Sequence, residues 1–302
     1  MATDSFPTPL DGPPRRARRF DRGSLLSWLG VAPFFLFALA FLIAPASFLF
    51  IGSFQTLDGQ FTLENFRNLS DPIVVDAYTR SLQVSFATAL GGTIFGFLLA
   101  YAVTLGGLPR AIRSGLLTFS GVASNFAGVP LAFAFIATLG RIGLITVLLK
   151  NIGLDIYQRG FSLYSFAGLS LTYMYFQFPL MVLIITPALE GLKREWREAA
   201  ENLGATSGQY WRYVAFPVLL PSLLGTLILL FANAFGAYAT AFALTGGTIN
   251  LVPILIGAQM RGDVLRNPGL GYALAVGMIA IMAVSITAYT LLQRRSERWL
   301  KR

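Results

Sequence analysis

The chain has no cysteine and no histidine. The first absence excludes disulfides and thiolate metal sites. The second removes the commonest general base and metal-binding side chain, and with it most Ser-His, Cys-His and metal-dependent chemistry. Lysine is almost missing too: Lys150, Lys193 and Lys301 are the only three. None stands in a G-x4-G-K-[ST] context, where glycine amides cradle phosphates and the lysine reaches the terminal ones, so the chain carries no P-loop of its own. Charged residues make up only 12% of the 302, whereas 55% are hydrophobic and mean hydropathy is +0.64. Such a chain is too apolar for a soluble domain and reads as a membrane protein. Its net charge of +9 flanks the apolar runs instead of forming a basic face on a soluble domain. It therefore reads as a topology signal and not as a nucleic-acid surface.

A helix needs about 20 apolar residues to cross the hydrocarbon core. Six runs are long enough: Leu25 to Ile51, Ser81 to Leu105, Gly115 to Leu139, Leu163 to Leu189, Val214 to Tyr238 and Leu270 to Leu292. The predicted fold class is all-α, an integral membrane bundle of six transmembrane helices. Along the chain this gives a basic tail at 1–22, a first transmembrane helix at 23–51, a five-helix core at 79–292 interrupted by a hydrophilic hairpin at 190–213, and a basic tail at 293–302. With the N-terminus inside, 16 Lys and Arg residues fall on the inner side and 7 on the outer. Cytoplasmic loops carry the basic excess, so both termini are expected in the cytoplasm. The "APA" at Ala44 to Ala46 has the look of a signal cleavage site, but the apolar run is too long and continues past it, so a retained span is expected.

The stretch "REAAENLGATSGQYWRYVAFP", residues 197 to 217, is the longest polar patch inside the chain. Leu189, Leu192, Trp196, Ala199, Ala200 and Leu203 recur at three- and four-residue steps and share one helical face. Glu190 with Arg194, and Arg197 with Glu201, have i,i+4 spacing for ion pairs. Gly204 suits a left-handed helix end. Thr206 and Gln209 have capping-box spacing, so a second short helix can start at once. Pro217 and Pro221 fall early in the fifth span, where a missing N–H costs little. The pattern is helix, glycine turn, helix, membrane, with an apolar face that no cytoplasmic domain of this chain covers.

This stretch resembles the EAA motif, E-A-A-x3-G-x9-I-x-L-P, of the permease subunits of binding-protein-dependent ABC importers, the MetI-like family. Glu198, Ala199, Ala200, Gly204 and Pro217 match at the family's spacing, while Val214 and Phe216 stand where it has Ile and Leu. The position between the fourth and fifth of six spans matches as well, as in a five-span core preceded by one extra helix. The resemblance implies a type I importer fold, with the hairpin, Trp196 included, acting as the coupling helix docked on an ABC ATPase dimer that uses the ATP. It further implies a second permease subunit, homologous or identical, and an extracytoplasmic solute-binding protein, with no cofactor in this chain. "GAYATAFALTGG", "NLVPILI" and "NPGLGYALA" resemble the PotB-like spermidine/putrescine branch and imply a polyamine as the solute. Ferric ion, sulfate, phosphonate and sugar are the alternatives for the same machinery.

Asn125, Gln177 and Asn233, with Tyr238 as an amphipathic companion, are candidates for the translocation route. Polar side chains within spans either tie helices together or face a pathway. No predicted span contains Asp or Glu, which counts against a stand-alone secondary transporter or channel with its own coupling-ion site. A membrane enzyme is disfavoured by the missing His, Cys and clustered carboxylates. The segment 239–268 either re-enters the membrane or forms an ordinary outer loop; irregular backbone at membrane depth requires burial in protein or a cavity wall.

Overall fold

The structure, a computed structural model, describes residues 22–56, 58–261 and 267–300, with side chains described from 30 to 291 within those ranges. Two compact units meet at Phe48 and Leu49. The first is the apolar helix α1 (Arg22–Ala38), continued by a π-helical turn at Leu39–Ile43 into α2 (Ala44–Gly52). Its phenylalanines and leucines, from Phe34 to Phe48, are exposed, and none of its large apolar side chains is buried among the described residues. A helix apolar on all sides is built for lipid or for another membrane helix.

The second unit holds the rest. After the short α3 (Glu64–Arg67) come α4 (Pro72–Leu105), α5 (Arg110–Asn125), α6 (Val129–Leu139), α7 (Leu144–Asn151) and α8 (Phe166–Glu190). Then follow α9 (Arg194–Asn202), α10 (Ser207–Tyr210), α11 (Phe216–Phe235), α12 (Tyr238–Thr245), α13 (Val252–Arg261) and α14 (Pro268–Leu300). Among the described residues, six helical stretches are long and apolar enough to cross a membrane: Gly30–Gly52, Pro72–Leu105, Val129–Asn151, Phe166–Glu190, Ser207–Phe235 and Pro268–Leu291.

The centre of the unit is the seam between α4 and α8. Gly92, Gly96 and Ala100 repeat at four-residue steps on the buried face of α4. A Cβ on Gly92 would lie 2.7 Å from the Gln177 Cβ, and one on Gly96 would lie 2.6 Å from that of Met181, so only glycine admits this approach. In lipid, where hydrophobic burial gives no preference between helix and tail, such small-residue seams supply the packing that joins helices.

Side-chain contacts fix the direction of each helix. Gly91 meets Met174, Gly92 meets Gln177 and Gly96 meets Met181, so α4 and α8 run parallel, with one return crossing between them. Tyr173 donates to the Ala237 carbonyl at 2.6 Å and Gln177 Nε2 donates to the Leu230 carbonyl at 3.0 Å, which makes α11 antiparallel to α8. Tyr289 donates to the Pro221 carbonyl at 3.2 Å while Tyr78 donates to the Leu274 carbonyl at 2.7 Å, so α14 runs with α4 and against α11. The C-terminal ends of α4, α8 and α14 and the N-terminal ends of α5 and α11 thus share one face.

Four expectations change. The second span starts at Pro72 and not at Ser81. The third is not one helix from 115 to 139: α5 ends at Asn125 and α6 starts at Val129. Pro130 would drive its ring into the Phe126 carbonyl if the helix ran through, so the backbone leaves helix at 126–128. The freed Gly128 N–H donates to Thr240 Oγ1 at 2.8 Å. The fifth span stops at Phe235 and not at Tyr238, which instead opens α12. The C-terminal tail from 293 continues α14 as helix through Leu300. The N-terminal tail at 1–21 lies outside the described residues.

The segment after the fifth span is neither an extended loop nor a span. Its two short helices α12 and α13 pack into the bundle, where Ala241, Leu244 and Leu251 share a core with Val84, Leu131, Leu169 and Tyr173. Burial in protein is what permits such interrupted backbone at that depth.

Candidate functional site

The hairpin between α8 and α11 is built from a stop, a turn and a restart. α8 ends at Glu190, and a non-helical Gly191–Lys193 link separates it from α9. Leu189 and Leu192 therefore do not continue the α9 face as their spacing suggested: Leu189 is fully buried in the bundle and Leu192 packs beneath it. α9 ends in a left-handed glycine, Gly204 at φ 81°. The Ala205 N–H reaches back to the Ala200 carbonyl at 3.0 Å and the Gly204 N–H to Glu201 at 2.9 Å, a Schellman closure that satisfies the last carbonyls of the helix. Thr206 and Gln209 then form the expected capping box, with Thr206 N–H donating to Gln209 Oε1 at 2.7 Å and Gln209 N–H donating to Thr206 Oγ1 at 3.3 Å. α10 passes through a π-helical stretch, Trp211–Ala215, into α11, whose first turn holds Pro217.

The ion pairs differ in part from the expected set. Arg197 pairs with Glu201 at 2.9 Å as its spacing predicts, and this carboxylate raises the guanidinium pKa further. Arg194 pairs with Glu198 at 2.8 Å instead of Glu190. Glu190, at the end of α8, bonds Arg113 in the first turn of α5. The break at Gly191–Lys193 is the reason, because it takes Arg194 off the helix that carries Glu190.

These contacts tie the hairpin to several helix ends. Tyr210 is buried, and the Trp211 ring meets Tyr101 near the end of α4, edge to face at 5.2 Å. The outer surface of the hairpin is uncovered. Leu203 is 88% exposed at the turn, Trp196 is 37% exposed with the Lys193 ammonium 6.0 Å from its ring, and Ala199 and Glu198 are exposed, while Ala200 is half-buried. A Cβ on Gly204 would meet nothing within 4 Å. Leu203 lay on the predicted face, but periodicity could not tell that it stands at the tip. That follows from the turn.

The route candidates separate. Gln177 is fully buried and bonded to α11, so within this chain it ties two helices together and does not line an open surface. Asn125 is exposed at the end of α5 and bonds back to the Gly121 carbonyl at 2.9 Å. Asn233 is exposed on α11, two residues before the helix ends. Tyr238 opens α12 beside Gly257, and the Arg261 guanidinium lies 5.8 Å from its ring. The Gly128–Thr240 hydrogen bond joins the segment after Asn125 to the helix that Tyr238 starts. Among the described residues no group of three or more His, Cys, Asp or Glu converges on a possible metal position.

A bundle of apolar, membrane-length helices with an interrupted segment at one end and a capped hairpin at the other has the architecture of a polytopic membrane subunit. Residues 130–302 match the family model described as "Binding-protein-dependent transport system inner membrane component", and the chain belongs to that family. It is 30% identical over 181 residues to a probable sulfate transport system permease protein of Helicosporidium sp. subsp. Simulium jonesii, covering 59% of this chain and 63% of that one. The match therefore spans under two thirds of that relative's length. A spermidine/putrescine transport system permease protein of Haemophilus influenzae is 25% identical, covering 86% of this chain and 91% of its own. In fold, the chain superposes on a subunit of a bacterial ABC transporter involved in the import of the acidic polysaccharide alginate, with TM-score 0.72, 17% identity, and 91% and 96% of the two chains covered.

Proposed function

We propose that this chain is one permease half of an ATP-driven importer in a bacterial inner membrane, with both termini cytoplasmic. The observation that carries the reading is the uncovered hairpin, with Leu203 88% exposed at its tip. Burying one leucine is worth about 2 kcal/mol, so a groove on another protein that takes Leu203 and the Trp196 face gains a specific anchor. The partners are an ABC ATPase dimer, which uses the ATP, a second permease subunit, and an extracytoplasmic binding protein that delivers a small solute. Closure of the ATPase pair pushes the hairpin. The push reaches α11 through Trp211, α4 through Tyr101, and α5 through Glu190 and Arg113.

Co-purification of the ATPase with Gly204→Asp tests this. The substitution has space in the isolated chain and costs only the left-handed strain of about 1 kcal/mol. The chain should insert and fold, while ATPase recovery and solute-stimulated hydrolysis are lost. Normal recovery and stimulation would reduce the stretch to a loop. Topology has its own check: a tag beside Asp58 should be reachable from outside intact cells and a C-terminal reporter should not.

Two readings compete for the solute. The likeness to the spermidine/putrescine permease covers 86% of this chain and supports a polyamine. The sulfate permeases reach higher identity over a shorter stretch, or the same 25% identity over 85% of this chain, and support an oxyanion.

A further inference from the structure

Where α11 gives way to α12, an open cavity of about 490 Å³ lies against α13 and α14. Pro253, Ile256, Met260 and Met278 give it apolar walls, Tyr238 lines it too, and Arg261 is the only charged residue among the described residues of the lining. The guanidinium lies 5.8 Å from the Tyr238 ring and, among the described residues, forms no ion pair. At the same end of the bundle Arg80 and Lys150 are each neutralised, by Asp76 and Asp155. Gly236, also in the lining, stands three residues beyond the exposed Asn233, where the chain leaves α11.

We propose that this cavity is a site for a small oxyanion, held by Arg261 and directed toward Asn233; the role in transport rests on the importer reading above. Arg261 is exposed beside this open cavity, so its charge is available to a ligand that settles against the apolar walls. The five donors of a guanidinium suit the oxygens of a tetrahedral anion. The same field repels a polyamine, which would require carboxylates where the lining has none.

The absence of native cysteine makes the cavity directly testable. Met260→Cys sets one thiol on the wall beside Arg261. In membrane vesicles holding the assembled importer, sodium sulfate should slow alkylation of that thiol about tenfold relative to sodium chloride of equal ionic strength, the effect expected of one charge-assisted contact. The protection should vanish when Arg261→Gln is added and return in part with Arg261→Lys. In the chain without Met260→Cys, Arg261→Gln should raise the KM for sulfate uptake about tenfold. No protection by sulfate, thiosulfate, molybdate or phosphate would overturn the site, as would protection that survives Arg261→Gln. Recovery of the ATPase without protection removes the anion site and leaves the importer reading. Protection without any ATP-driven uptake does the reverse.

Discussion

The α4–α8 seam and the hairpin at 191–210 are the two regions of the second unit most opposed in character. Along the seam, glycines let two backbones approach until a single methyl group has no room, and Gln177 and Tyr173 reach across to bond the Leu230 carbonyl of α11 and the Ala237 carbonyl just beyond it. In the hairpin the backbone is just as fully satisfied, by a Schellman closure and a capping box, yet Leu203 and Trp196 face outward. A membrane subunit can complete its interior by itself and still leave one rigid element unfinished. The difference lies in what covers each apolar surface, and it separates substitutions that unfold the chain from those that only disconnect it.

The largest expected effect is at the seam. Gly96→Leu puts a branched side chain where even a Cβ sits 2.6 Å from Met181 and 2.9 Å from the Phe178 carbonyl oxygen. Overpacking of this kind costs about 3 kcal/mol or more, so the variant should lose its monodisperse peak in detergent chromatography. Next comes Gln177→Ala, which removes a buried inter-helix bond and leaves a void, for about 2 kcal/mol. A thermal melt of the purified chain should show it, with ATPase recovery preserved. Arg113→Gln should cost less than about 1 kcal/mol in the melt, because its pair with Glu190 is half exposed. It should still lower coupled transport, since it frees α5 from the hairpin. The smallest effect belongs to Glu198→Ala, whose partner Arg194 is almost fully solvated: the melt should not move.

Much of this contrast is legible in the sequence. The spans follow from apolar length, and the hairpin follows from Gly204, the Thr206–Gln209 spacing and Pro217. The errors have a common physical origin. Apolar runs do not show where a helix stops when the breaker is itself apolar or small, as at Ala127, Gly128 and Pro130 or at the Gly191 link. Spacing then assigns neighbours across a break that is not visible, which is why Glu190 was matched with Arg194 and Leu189 with the α9 face. Gln177 and Asn233 carry similar amides in similar surroundings. Only the three-dimensional packing distinguishes the one that ties helices from the one that stays exposed. Arg261, a single basic residue in the last turn of α13, has the sequence pattern of a helix-dipole partner, and only the fold sets it beside a cavity.

The central claim is that the hairpin tip is covered by another protein in the working assembly. Because the chain lacks cysteine, Leu203→Cys supplies a single thiol at that tip, and its alkylation rate can be measured in the free permease and in the importer assembled with its ATPase. The account predicts rapid labelling in the free chain, where Leu203 is 88% exposed, and strong protection on assembly. Equal labelling in both states, with the ATPase demonstrably bound, would contradict it.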